Sequence, residues 1–79
     1  MGFQVQAVVT FKKSPNEHAV DLLDHQFGTV HHDRGSTTVT ITEHVSMHDV
    51  GDAVAFVRSL VLDAIPQGAV LASIDATAD

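Results

Sequence analysis

Between residues 3 and 11 the apolar positions Phe3, Val5, Ala7, Val9 and Phe11 alternate with Gln4, Gln6, Val8 and Thr10. A period of two is the pattern of a strand with one buried face and one free face. The stretch therefore commits the chain to a sheet covered on one side, and something else in the chain must do the covering. Two segments qualify. Ser14-Pro15-Asn16-Glu17 offers a capping serine, a proline at the first helical position and a glutamate three residues after the cap, which predicts a helix over 15–27. Val20, Leu23 and Phe27, with Ala19, Leu22 and Gln26 beside them, form its apolar side, and Gly28 suits the left-handed position that ends a helix. Ser46-Met47-His48-Asp49 repeats the cap-and-acid start. After it Val50, Ala53, Val54, Val57, Leu60, Val61, Ala64 and Ile65 recur at three- and four-residue steps until Pro66-Gln67-Gly68 stops them.

The remaining segments read as strands. Thr29 to His32 is short, Thr37 to Val45 is dense in β-branched residues, and Asp33-Arg34-Gly35-Ser36 between them supplies a glycine for a tight hairpin in which His31 opposes Thr38. Ala69 to about Ala76 is the last strand, with Thr77, Ala78 and Asp79 expected to fray. Right-handed crossovers and one hairpin then favour an α+β chain with a βαββαβ order. Its four-stranded antiparallel sheet has strand order 4-1-3-2, with both helices on one face. This arrangement resembles the ferredoxin-like fold. Heavy-metal transport domains of that topology carry Cys-x-x-Cys in the first loop and acylphosphatases an arginine, whereas Lys12-Lys13-Ser14-Pro15-Asn16 has neither. Nor is the glycine-bearing first loop of ACT-type sensor domains present.

A chain of 79 residues has room for one core, so residues 1–79 are expected to form a single α+β domain. Ten acidic residues against four basic ones give a formal charge of -6, which repels phosphate backbones. With no Tyr or Trp, and with Phe3 and Phe11 on the core side, the sheet lacks the aromatic platform that RNA-binding domains of this topology use. Nucleic acid is not an expected partner. The absence of cysteine excludes disulfides and thiolate metal sites. No apolar run is long enough for a membrane span, the opening residues alternate where a signal peptide would be continuously apolar, and Gln6 occupies the position where myristoylation needs Ser or Thr. A soluble, cytoplasmic protein without membrane contact is expected.

With Val5, Val9, Val30, Val39 and Ile41 turned towards the helices, the free face carries Gln4, Gln6, Val8, Thr10, Thr29, His31, Thr38, Thr40, Thr42 and His44. It is polar yet uncharged. A face of Gln and Thr escapes the desolvation cost that Lys or Glu would impose on a contact, and this makes Gln4, Gln6, Thr10, His31, Thr38, Thr40, Thr42 and His44 the candidate contact surface. The six histidines suggest metal, but their spacing does not. His18 and His25 lie about 10.5 Å apart along a helix, and in the expected hairpin His44 stands about 20 Å from His31. His31 with Asp33, or His44 with His48, would supply two ligands only, so a closed site would need a second chain. Glu17, Asp21, Asp24, Asp49, Asp52 and Asp63 make the outer helical face acidic, suiting solubility or a basic partner. No catalytic, cofactor-binding or metal-binding residue is assigned, and no cofactor. The expected function is a small non-enzymatic protein-binding or regulatory module, homodimeric through its sheet face or a strand edge. The alternative is a small-molecule or anion sensor binding between two such domains, and a small enzyme comes third.

Overall fold

In the computed structural model, which describes residues 2–78, the elements follow in the order β1 (Phe3–Thr10), α1 (Glu17–Gln26), β2 (Thr29–His32), β3 (Thr38–Val45), α2 (Val50–Ala64) and β4 (Val70–Ala78). The strands form one four-stranded sheet in the order β2-β3-β1-β4, and every neighbouring pair is antiparallel. Read from the opposite edge, this is the expected order. The alternation of β1 sets the layers: Val5, Ala7 and Val9 are fully buried, as are Val39 and Ile41 of β3, and Ala53, Val57 and Val61 of α2 close over them. Leu23 of α1 and Phe27 at its end belong to the same cluster, so both helices lie on one face. Ala7 is paired with Ile41 on one side and Ile74 on the other. A small residue between two large ones lets the layer interdigitate at interior density.

The two helices are docked unequally. α2 lies over β1 and β4 and α1 over β2. α2 places three residues at zero exposure, whereas α1 buries Leu23 alone. Leu22, expected beside Leu23 on the apolar side, is 52% exposed, and Val50 and Leu60 of α2 are also exposed. Among the described residues no helix is long and apolar enough to cross a membrane.

Local structure departs from the sequence reading at several points. The N-caps are not the serines. Asn16 caps α1, its side-chain oxygen accepting from the Ala19 N–H at 2.8 Å. Asp49 caps α2, accepting from the Gly51 N–H at 2.6 Å and the Asp52 N–H at 3.2 Å. Asparagine and aspartate cap as well as serine does, and in each case the candidate closer to the helix takes the role, so α1 begins at Glu17 instead of residue 15. Gly28 is not left-handed: among the described residues only Gly35 (φ 83) and Gly68 (φ 96) have positive φ. It is instead a place of close approach: a Cβ there would lie 3.3 Å from the Thr42 carbonyl oxygen, and its N–H donates to the Glu43 carboxylate at 2.9 Å.

The β2–β3 register also differs. His31 faces Thr40, not Thr38, because the loop from Asp33 to Thr37 is longer than a two-residue turn. Within it the Ser36 N–H donates to the Asp33 carbonyl at 2.9 Å and the Thr38 N–H to the Ser36 hydroxyl at 3.0 Å. The two registers differ by two residues, so every side chain keeps its face. At the far end Thr77 and Ala78 pair with Gln4 and Phe3 and do not fray, while Asp79 lies outside the described residues. The β1–β4 ladder contains one irregularity: Val8 pairs with Ser73 and Val9 with Leu71, leaving Ala72 as the extra residue of a bulge.

Candidate interaction surface

Strand pairing determines what lies on the uncovered side of the sheet. Even-numbered residues of β1 point away from the helices, and each register carries that parity to its neighbour. The result is a set of rows running across the strands. Thr77, Gln4 and His44 form one, and Asp75, Gln6, Thr42 and Thr29 the next. Ser73, Val8, Thr40 and His31 make the third, followed by Val70, Thr10 and Thr38. All eight residues of the expected contact surface, Gln4, Gln6, Thr10, His31, Thr38, Thr40, Thr42 and His44, thus lie on one continuous face. Thr40, Thr42 and Val8, in the middle, are half-buried by their neighbours, while the other six of the eight are exposed.

β4 adds Val70, Ser73, Asp75 and Thr77, which the sequence reading did not place. The bulge decides which way they point. Under strict alternation Leu71, Ser73 and Asp75 would share a side, so burying Leu71 would bury a carboxylate. With Ala72 as the extra residue, Leu71 and Ile74 both turn towards the core and are packed against it, while Asp75 turns out and is exposed. The signal that could have revealed this is the three-residue spacing of Leu71 and Ile74 inside a strand, which alternation alone cannot satisfy.

Electrostatically the face differs from the rest of the chain. The strands contain two formally charged residues, Glu43 and Asp75. Glu43 is on the helix side, where it accepts from Gly28. Asp75 is therefore the single formal charge that the strands themselves place on the open side, and it sits on the edge strand. At the opposite edge His31 Nε2 lies 3.2 Å from Asp33 Oδ1, the two side chains being 71% and 81% exposed. A pair that open to water contributes little to stability. His32, on the other side of β2, donates from Nε2 to the Ser36 carbonyl at 2.8 Å in the tautomer that makes this bond.

Among the described residues no three His, Asp or Glu side chains are grouped so as to hold an ion. No polar or charged side chain among them is buried. Away from the sheet face, a cleft of about 720 Å³ opens between the start of α1 and the β2–β3 loop, lined by Ser14, Pro15, Asn16, Glu17, Val20, Asp21, His32, Arg34 and Gly35. Lys12 and Lys13 lie elsewhere, beside Pro66 to Ala69, so the first loop does not gather its two cations and Arg34 into one site. Compared with models of protein families, with curated proteins and with solved structures, the chain matches none of them.

Proposed function

We propose that this chain is a ferredoxin-like, non-enzymatic protein-binding module that acts as a homodimer, two copies meeting through the open faces of their sheets. The observation that carries the reading is the distribution of charge. Fourteen Lys, Arg, Asp and Glu residues are spread over the chain, yet the strands of this face present Asp75 alone, at one edge, with Asp33 of the adjoining loop against His31 at the other. Burying threonine and glutamine beside half-buried Val8 avoids the penalty of desolvating ions. Surface area supports the same reading: 5156 Å² is accessible, where a folded monomer of 8.4 kDa exposes roughly 4,600 Å². Eight paired positions and four strands give a flat area of roughly 500 Å² per copy, or ~1,000 Å² in all. That is at the small end of specific interfaces.

Sedimentation at concentrations on the order of 1 to 100 μM, which span Kd values of weak to moderate dimers, tests the proposal. Thr40 lies between Val8 and His31 near the middle of the face. Thr40→Lys with Gln6→Lys puts like charges opposite each other across the two-fold, and should weaken association on the order of 100-fold while the monomer still folds. A chain that is monomeric throughout, or a dimer that survives both lysines, overturns the reading.

A second reading, a sensor of small molecules or anions, has one observation in its favour. The cleft at the start of α1 has the volume of a ligand site and brings Arg34 opposite Glu17 and Asp21. Titration with inorganic phosphate and with free amino acids, followed by amide shifts at Val20 and Arg34, tests it; unmoved shifts at millimolar ligand exclude it.

A further inference from the structure

We infer that the outer, helical side of the molecule carries a second docking surface, a groove between α1 and α2 that takes a basic amphipathic helix of a partner protein. The starting observation is where large apolar side chains remain in water. Leu22 (52%), Phe56 (46%) and Leu60 (39%) are exposed, and each immediately precedes a buried residue of its helix, Leu23, Val57 or Val61. One residue back along a helix is a rotation of about 100°, so all three sit on the same flank relative to the sheet-facing side.

Topology tells which way that flank points. On α1, Glu17, Val20 and Asp21 line the cleft against the β2–β3 loop, so the opposite flank, with Leu22, faces α2. The strands that α1 connects run opposite to those that α2 connects. The helices are therefore antiparallel, related by an approximate two-fold axis normal to the sheet. Such an axis puts equivalent flanks face to face, and it turns Phe56 and Leu60 towards Leu22. Because α1 is docked on β2 and α2 on β1 and β4, β3 runs beneath the interval between them. Val39 and Ile41 on that strand are fully buried, so the floor of the interval is closed, and Leu22, Phe56 and Leu60 stand above it with roughly 40 to 50% of their surface exposed.

The rim selects the occupant. On α2, Asp52 and Asp63 lie on the outward part of the same flank, about 120–140° from Val57, and both are exposed. On α1 the corresponding position holds His18, also exposed. An apolar floor edged by carboxylates, in a chain of formal charge -6, is complementary to a segment with apolar residues at helical spacing flanked by Lys and Arg. It disfavours a second copy of this chain, whose own helical surfaces are acidic and would repel it. The surface is on the opposite side from the sheet face, so it leaves the proposed dimer intact.

The probe is a synthetic fourteen-residue peptide of leucine and lysine, patterned as an amphipathic helix and labelled with fluorescein. It is compared with a peptide of identical composition whose order destroys the pattern. Fluorescence anisotropy should show the patterned peptide binding at least about tenfold more tightly, with amide shifts at Leu22, Phe56 and Leu60. Phe56→Ser with Leu60→Gln, both at exposed sites, should remove that preference on the order of tenfold without lowering the melting temperature by more than a few degrees. Equal binding of the two peptides, no binding of either, shifts confined to the sheet face, or an unchanged preference in the double variant would each overturn the inference. Sedimentation of the same variant distinguishes this surface from the sheet face, since its self-association should be unaffected.

Discussion

Truncating Leu23 to alanine should release α1 before the rest of the molecule unfolds. Leu23 is 3% exposed and is the one buried residue within α1; Phe27, at 6%, anchors its end. A leucine in that position contributes about 2 to 5 kcal/mol, counting transfer from water and the cavity left behind. A ten-residue helix has almost no stability of its own in water, since isolated helices below ~12 residues are marginal. Global stability for a chain of this length is about 4 to 12 kcal/mol. The loss is therefore comparable to everything that holds α1 down, yet smaller than what holds the sheet and α2 together, where Val57, Val61 and five strand residues are fully buried.

Native-state hydrogen exchange should separate the two levels. In the parent chain the α1 amides are expected to exchange through a partial opening of lower free energy than the α2 and β1 amides. In Leu23→Ala the α1 protection should collapse, while β1 and β3 lose at most the ~2 to 5 kcal/mol of the truncation itself. Val57→Ala, at a site with zero exposure on α2, should instead lower all amides together. The reasoning fails if α1 is as well protected as α2 in the parent, or if Leu23→Ala lowers every element equally.

Two further changes test local features. Asp49→Ala removes the acceptor of the Gly51 and Asp52 N–H groups and should cost about 1 kcal/mol in urea denaturation, with Asp49→Asn restoring most of it. Gly35→Ala meets nothing within 4 Å, but the residue is at φ +83, so the backbone penalty of ~1 to 2 kcal/mol should outweigh the ~0.4 to 1 kcal/mol entropic gain of replacing glycine. Gly35→Asn should cost less, because asparagine tolerates that region; a stabilised Gly35→Ala chain would refute this account.

What could be read from the sequence, and what could not, follows from how local each feature is. The two faces of the sheet were legible because parity survives errors of register: a hairpin misplaced by two residues still left Val30 and Ile41 inside and His31 and Thr40 outside. The caps were not, because Ser14, Asn16, Ser46 and Asp49 are all competent, and which residue caps depends on where the helix must start to land Leu23 or Ala53 on the sheet. Gly28 was read as the left-handed residue that ends a helix when its role is long-range, the approach of Thr42 and Glu43 fourteen and fifteen residues on. Exposure of Leu22 and Leu60 was hidden for a similar reason. Periodicity reports that a helix has an apolar side, but not how wide a side its neighbours will cover.

The bulge in β4 is the feature furthest from the sequence, and it makes an unusual deletion tolerable. Removing one residue from the middle of a strand normally turns everything beyond it to the wrong face. In β4 the extra residue is Ala72, between Leu71 opposite Val9 and Ser73 opposite Val8. Deleting it leaves Leu71, Ser73, Ile74 and Asp75 in strict alternation, with Leu71 and Ile74 still inward and Asp75 still outward, at the cost of drawing the loop after α2 in by ~3.4 Å. The change in stability should stay within the ~0.5 to 3 kcal/mol of an ordinary point substitution. Deleting Gln6 from β1, at a point where the pairing on both sides is regular, turns Val5 outward and Gln4 inward. Losing a buried valine and burying an unpartnered amide together cost about 3 to 6 kcal/mol, a large part of the total stability. Thermal unfolding should therefore find the Ala72 deletion folded and the Gln6 deletion largely unfolded. A bulge also bends an edge strand away from edge-to-edge pairing, so the folded deletion variant should associate more readily through β4 in sedimentation, an association that Thr40→Lys leaves in place. If removing Ala72 unfolds the chain as Gln6 deletion does, the assignment of Leu71, Ile74 and Asp75 to their faces is wrong, and with it the outline of the open surface.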